Sequence, residues 1–507
     1  MFHFRLLRAM KAIVKIFLGI MICLSSCSFL DEEVISEITE DNYYQTQEDA
    51  VAAVNALYDY ISVGNSPLWG GEFGGVYYND YWIIQGLCSD EMRTASPPGS
   101  PYYQLSDFSF NSSNIAIEKV WKDAYKTINN ANVAYEKIPP ISMDESMKKR
   151  LLGEVTFFRG MLYFDLVRMY GDLPLKLEYT KSVDDIEIER SSSADVYEQI
   201  ELDLRQAMSD LPDSYTGGDV GRCTSGAAKT LLAKVLLTQG KYGEALELLR
   251  EIIHAGRYTL FNDFQEVFKI SNANTREIIF SVPFSNTMSQ GWKGSQFNVQ
   301  LLPAGLNNGS EGPENAQGWQ RPTVDLYESY ELRDRRRAVT FITSYEYSDG
   351  SMETFDPHIS KWWDRDAEPR GNQSDQDYIY LRYADVLLMA AEAINELNGG
   401  PTGEAYEYIN QIRRRARFDG VQEWDILRDL SGLSYPEFKE AVLEERRHEF
   451  VAEGHRWFDL VRNDKLVEKV LVNSEKDDAL VADYHNLLPV PQRDRELNSR
   501  LTQNPGY

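Results

Sequence analysis

The sequence is poor in cysteine, in positive charge and in long apolar runs, and each shortage closes off a class of function. Four cysteines occur in 507 residues, with no Cys-x-x-Cys pair, which excludes thiolate zinc sites and thioredoxin-like redox chemistry. Lys plus Arg total 52 against 79 Asp plus Glu, a formal charge of −27. That balance repels phosphate backbones and no basic tail offsets it, so nucleic acid is not an expected partner. No window beyond the amino-terminal segment approaches the ~18 apolar residues that a membrane-spanning helix needs. Nothing matches a nucleophile elbow, a phosphate loop or a zincin helix. What the chain has in quantity is aromatic: 30 Tyr, 22 Phe and 9 Trp, within 43% hydrophobic and 26% charged residues. This is the composition of a folded body, and its length suits one large or two fused domains.

The first residues read as an address. Arg5, Arg8, Lys11 and Lys15 precede a short apolar run from Ile16 to Leu24, a basic flank and core of the export-signal type, about half as long as a membrane span. The run ends in Leu24-Ser25-Ser26-Cys27, which resembles the lipobox of bacterial lipoproteins. That resemblance implies residues 1–26 as signal peptide, a lipid on Cys27, and 27–46 as an acidic strap between anchor and body; cleavage near Ser26 with free secretion is the alternative. Cys88 and Cys223 are then the remaining thiols, and two separate buried cysteines are expected rather than a disulfide.

The body, 47–507, is expected to be mostly helical. Val51, Val54, Leu57 and their neighbours recur at helical spacing, and a Gly-, Pro- and Tyr-rich region follows to about 113. An early helical block covers about 114–255, broken at Pro139-Pro140 and at Gly171 before Pro174. Within it, 226–255 resembles a tetratricopeptide repeat: Leu232, Ala233 and Leu236 on one helix, Gly240 at the turn, then Tyr242, Ala245 and Leu249. A looser copy runs from 384 to 416. Between them, about 256–378 is a loop-rich insertion with a strand expected at Glu277–Val282, too long to be a linker. A late helical block, about 379–462, includes the capping box Ser434-Tyr435-Pro436-Glu437, and a tail closes at 463–507. The fold class is therefore all-α dominated, with tetratricopeptide-like helical repeats against an irregular loop-rich part with minor β.

Several of these stretches carry a family signature. The lipobox, Leu381-Arg382-Tyr383-Ala384-Asp385 continuing to Ala393, Asn410-Gln411-Ile412-Arg413, the stretch from Glu445-Arg446-Arg447 to Arg462, and the terminus Gln503 to Tyr507 together resemble the SusD/RagB family. The resemblance implies an outer-membrane lipoprotein that binds glycan and delivers it to a TonB-dependent transporter of the SusC type, with no catalysis and no cofactor. A peptide receptor on the same scaffold is the second reading and a surface hydrolase the third. The charges from Glu445 to Arg462 are expected to form a structural ion-pair lattice, extended by Arg382 with Asp385 and Glu392 with Arg413. His448 and His455, and Asp364, Asp366, Asp375 and Asp377, are the nearest things to metal-ligand groups, but neither has a metal-site spacing. No metal is expected.

A sugar site needs exposed aromatic faces beside hydrogen-bonding groups. The candidates lie where the helical pattern fails, in 69–82, 96–104 and 291–319. Trp82 and Trp292 are the first choices for stacking on pyranose faces, Trp69 and Trp319 the second. Asn79, Asp80, Arg93 and Gln296 are the hydrogen-bonding candidates. The competing reading makes Trp82 and Trp292 core residues that hold the insertion closed.

Overall fold

Side-chain caps set the helix boundaries along most of this chain. In the computed structural model, residues 43–62, 75–286, 293–306, 316–365 and 374–507 are described, and Thr46–Tyr507 form one compact unit. In chain order it holds α1 (Gln47–Ile61), α2 (Asp80–Leu87), β1 (Met92–Thr94), α3 (Pro101–Ser106), α4 (Ile115–Lys137), α5 (Glu145–Tyr170), α6 (Ser193–Asp210), α7 (Ser225–Thr238) and α8 (Tyr242–Ala255). Next come β2 (Ile278–Val282), α9 (Phe297–Leu301), β3 (Gln320–Pro322), α10 (Val324–Ser329), α11 (Arg335–Thr340), β4 (Phe341–Glu346), β5 (Met352–Ile359) and β6 (Tyr378–Arg382). The chain ends with α12 (Tyr383–Asn398), α13 (Gly403–Arg417), α14 (Tyr435–Glu449), α15 (Arg456–Arg462), α16 (Leu466–Val472) and α17 (Gln492–Leu497). Thr46, Asn114, Asp144, Ser192, Thr224 and Thr402 each accept a first-turn backbone N–H, which satisfies donors that a bare helix start leaves open. Gly256 and Gly399 end α8 and α12 with φ of 61°, the left-handed stop that glycine adopts without strain. Among the described residues no helix is long and apolar enough to cross a membrane.

The helices pack in succession, α4 on α5, α5 on α6, α6 on α7 and α7 on α8, and α8 then packs directly on α12. Both expected repeat copies are present, as α7–α8 and α12–α13. They belong to one continuous stack, although 256–382 separate them in sequence. The excursion leaves and re-enters through a neck where β2 pairs antiparallel with β6. Two further two-stranded sheets, β1–β3 and β4–β5, complete the β content of the described residues. Among the helices not legible from pattern, α2 lies in the region read as irregular, and all eight of its residues are buried. A helix enclosed on every side shows no amphipathic period.

Glycine permits the closest crossing in the stack. A Cβ at Gly160 of α5 would stand 3.1 Å from Leu204 side-chain carbons of α6, and one at Gly153 would stand 3.0 Å from the Asp210 Cβ. Two turns apart, these residues let the α6 side chains seat against the α5 backbone.

The expected ion-pair lattice exists, with different partners from those read in sequence. Arg382 bonds Glu453 at 2.7 Å, Glu449 at 2.6 Å and Glu277 at 3.1 Å, not Asp385. Asp385 takes Arg446 at 2.6 Å and Lys234 at 3.0 Å. Glu392 takes Arg462 rather than Arg413, which instead bonds Glu445 at 2.9 Å. Arg415 reaches Glu277 at 2.9 Å and also Glu449, Arg336 reaches Glu445 at 2.6 Å, and Lys361 reaches Glu453 at 2.5 Å. The two histidines of this stretch do not share a helix face: His448 ends α14 with its Nε2 2.9 Å from Ser329 Oγ, and His455 sits beyond a turn beside Lys234. That turn carries Ala452 and Gly454 at positive φ. The terminal Tyr507 tucks against the body, donating to the Leu487 carbonyl at 2.8 Å.

The glycine contact gives the first test. Gly160→Val removes a helix-weak residue but forces methyl groups onto Leu204. We expect a net loss of ~1–3 kcal/mol, the usual cost of overpacking, measured as a lower denaturant midpoint at unchanged slope. An unchanged midpoint would mean that α5 and α6 do not meet there.

Candidate functional site

The aromatic candidates divide sharply on burial. Trp82 has no exposure at all. Its ring lies 5.3 Å from Phe297, which stacks 4.7 Å from Trp362, which in turn meets Phe268 at 5.0 Å. This column of rings runs from α2 into the excursion, so Trp82 is a strut of the core and not the exposed platform expected of it. The competing sequence reading is the correct one for this residue. Trp69 and Trp292 lie outside the described residues. Trp319 remains, 38% exposed.

The backbone explains how Trp319 comes to face outward. Gly318 has φ of 54°, and a Cβ there would stand 2.8 Å from His358 Nε2 and 3.0 Å from the Leu302 carbonyl oxygen. Only glycine fits this bend. The next residues form β3, which pairs with β1 in the register Met92–Pro322, Arg93–Arg321 and Thr94–Gln320. The Trp319 carbonyl then accepts from the Ala95 N–H at 2.7 Å, and Thr94 Oγ1 lies 3.1 Å from the same oxygen and 3.0 Å from Ser96 Oγ. The Trp319 backbone is thus held at the end of a short ribbon, its carbonyl against the Thr94 hydroxyl.

Charge at this ribbon is arranged by its neighbours. Arg93 and Arg321 face one another across the ladder, and like charges opposed in this way repel. Arg93 is held by Glu475 at 2.8 Å and, at longer range, Asp356 at 3.9 Å. Arg321 donates to the Gly318 carbonyl at 3.0 Å, and burial together with Arg93 lowers its pKa. Burial also lowers the His358 pKa to about 4, so its ring is neutral at pH 7.

The remaining hydrogen-bonding candidates gather around the start of α2. Asp80 is nearly buried and already engaged, by Tyr102 at 2.9 Å and Lys119 at 3.1 Å. Asn79 stands at the cap position without capping, and its Oδ1 is buried without a hydrogen-bond partner among the described residues. Gln296, at the start of α9, bonds the Tyr78 hydroxyl. Tyr78, Tyr102 and Lys119 are participants that the sequence reading passed over; the repeated tyrosines of 77–78 and 102–103 were the available signal. A carboxylate, a free amide oxygen and two phenols near one surface can exchange hydrogen bonds with hydroxyl groups.

The other candidate groups serve the scaffold. Asp375 and Asp377 accept from the backbone N–H groups of Asn286 and Phe284 at 2.6 and 2.9 Å. Asp364 accepts from Ser374 Oγ at 2.8 Å, and Asp366 lies outside the described residues. Among the described residues no three His, Cys, Asp or Glu side chains are grouped to hold a metal ion. Cys88 and Cys223 are both free and buried, and burial pushes the Cys88 thiol up to about 12.

Known proteins resemble the chain along most of its length. Residues 340–507 match the model described as "SusD family", and 87–237 match "Starch-binding associating with outer membrane". "SusD-like protein P2" of Formosa agariphila is 29% identical, across 98% of this chain and 100% of its own. A solved "Laminarin binding SusD-like protein" is 28% identical, with a TM-score of 0.75 over 92% of this chain and 100% of the other. A solved SusD superfamily protein from Parabacteroides distasonis is 27% identical, with a TM-score of 0.78 over 93% and 100% of the two chains.

The two matched segments are joined by a pair of adjacent carboxylates in front of the ribbon. Asp90 receives Arg456 at 2.7 and 2.9 Å, and Glu91 receives the Ala452 backbone N–H. Burial raises the Glu91 pKa to about 7, against the opposing pull of that N–H and of Lys361. A carboxyl whose folded pKa exceeds its unfolded value gives stability that is present below the unfolded value and lost as pH rises through the folded one. Glu91→Gln keeps an oxygen for Ala452 and stays neutral. The variant should therefore exceed wild type by on the order of 1–3 kcal/mol at pH 8, with the gap closing toward pH 5 in denaturant titrations. A gap of equal size at both pH values would refute the assignment.

Proposed function

Because the chain belongs to the SusD/RagB family, we propose that it is a glycan-binding lipoprotein of the outer membrane that captures oligo- or polysaccharide and passes it to a TonB-dependent transporter. The observation that carries this reading is Trp319, an exposed indole that follows the bend at Gly318 at the end of the β1–β3 ribbon. An aromatic face covers the C–H side of a pyranose while neighbouring hydroxyl and charged groups take its hydroxyls. The laminarin-binding relative favours a glucan among possible ligands. Asn79, Asp80 and Gln296 complete the proposed contact set, with Trp69 and Trp292 as further platforms. The long helical stack gives such loops a rigid support.

The reading is tested with affinity gels and calorimetry against a panel that includes laminarin and starch. Trp319→Ala should weaken the best ligand about tenfold or more, equivalent to ~1.4 kcal/mol, at unchanged melting temperature. Trp82→Ala should instead lower stability by ~3–5 kcal/mol through the cavity it leaves. Undiminished affinity in folded Trp319→Ala would move the site elsewhere.

The anchor and the partner belong to the same proposal. Cys27 carries the lipid, residues 28–46 let the body stand off an outward-facing membrane surface, and the helical body meets the transporter. In cells fed a clickable fatty acid, wild type should be labelled and Cys27→Ala should not, and gentle detergent extraction of wild type should co-purify a barrel of far greater mass. Equal labelling of Cys27→Ala would remove the anchor, and a lone lipoprotein at every detergent strength would remove the transporter.

A further inference from the structure

A second groove, lined mainly by residues that follow the Trp319 ribbon in sequence, holds positive charge with no carboxylate partner among the described residues in a strongly acidic protein. It has a volume of about 580 Å³ and is bounded by the α10–α11 segment, β4 and the loop containing Asp419 and Trp424. That volume lies in the ~300–1,000 Å³ range of small-ligand pockets. Three arginines line it, Arg333, Arg335 and Arg337. Arg335 is committed to Asp263, at 2.8 and 2.9 Å. The other two have no carboxylate partner among the described residues. The Arg333 guanidinium lies instead 4.0 Å from the Trp424 ring, and that of Arg337 4.2 Å from the Tyr327 ring. The Arg337 Nε is buried without a hydrogen-bond partner among the described residues.

The carboxylates that line the groove are occupied. Asp419 accepts from the Trp424 indole at 2.7 Å and from the Val421 and Gln422 N–H groups at 2.9 Å each. Asp334 is spent on Arg336 at 2.9 Å. Two guanidiniums, each over an aromatic ring, line the same groove, and neither has a bonded carboxylate among the described residues. A planar guanidinium fork matches a carboxylate or a sulfate, and stacking on a ring reduces the entropy lost when the fork engages. A buried unpaired Nε also gains more from such a ligand than an exposed one.

We propose that this groove is a second binding site, selective for a sugar unit carrying a negatively charged carboxylate or sulfate, recognised by Arg333 and Arg337. That the anion is borne on a sugar rests on the glycan-binding reading above; the requirement for an oxyanion does not. Binding is measured by calorimetry at low salt with tetragalacturonate, a sulfated galactan tetrasaccharide and neutral cellotetraose. At least one anionic probe should bind wild type, and Arg333→Gln with Arg337→Gln should weaken it tenfold or more without lowering the melting temperature. The probe that binds more tightly identifies the group. If the double glutamine variant fails to fold, Arg333→Lys with Arg337→Lys keeps the charge but not the planar fork, and should still lose most of the affinity. Absence of anionic binding in wild type, or full affinity in a folded variant, would overturn the proposal. Trp319→Ala should leave anionic binding intact. Anionic binding without any neutral-glycan binding would therefore remove the neutral site at Trp319 and leave this one standing.

Discussion

Glu449 has no solvent exposure and sits among the guanidiniums of Arg336, Arg382 and Arg415. Those three side chains come from the excursion, from its neck and from the α13 helix, and Glu277, Glu445, Glu453 and Lys361 extend the same network. Burying so many charges is tolerable only if each finds its opposite. Burial alone would raise the Glu449 pKa, but Arg415, Arg382 and Arg336 hold it well below the usual carboxylate range. Asp385 and Asp459 are held low in the same way, against burial, by Lys234 and Arg446 and by Arg446 and Arg462. Lowered carboxyl values stabilise the fold above about pH 4 and lose that contribution as pH falls through the folded values. Relative to an apolar core such a lattice adds little net stability, yet losing one partner strands the rest at ~3–5 kcal/mol. Its role is positional: it fixes one arrangement of the excursion against the repeats.

The repeats were legible because their signals are local. Small residues at helical spacing and the glycine that breaks the pattern fall within one or two turns of each other, as Leu232, Ala233, Leu236 and Gly240 do. The lattice was legible as a composition but not as a set of pairs. Arg382 finds Glu453 at a sequence separation of 71, and Glu277 at 105. Spacing rules for one helix face say nothing at that range. The adjacent pairing of Arg382 with Asp385 looked natural in sequence, but it fails because Arg382 belongs to the end of β6 and Asp385 to the first turn of α12.

The candidate site was half legible. The loops that interrupt the helical pattern do present an exposed ring, but choosing among tryptophans needed burial, which sequence does not carry. Trp82 lies on a helix with no polar face, so its exposure was misjudged along with the helix itself. Trp319 is exposed because Gly318 bends the chain against His358, a contact between residues 40 apart that only folding reveals. The arginine groove went unnoticed for a related reason. Four arginines fall within 333–337, and only the fold gives Arg335 and Arg336 their carboxylates and leaves Arg333 and Arg337 without one among the described residues.

The chain leaves the stack after α8 and returns to it at α12, with β2 and β6 closing the exit. Topologically this is an insertion whose two ends emerge side by side. Lengthening such a loop costs entropy only as the logarithm of its length, so each doubling adds ~0.6 kcal/mol. Loops within 256–382 can thus lengthen or shorten while Glu277, Arg336, Lys361 and Arg382 keep their pairings and α8 still docks on α12. Selection for a new ligand can work on the loops between these anchors, and the anchors themselves are where the frame sets its limit.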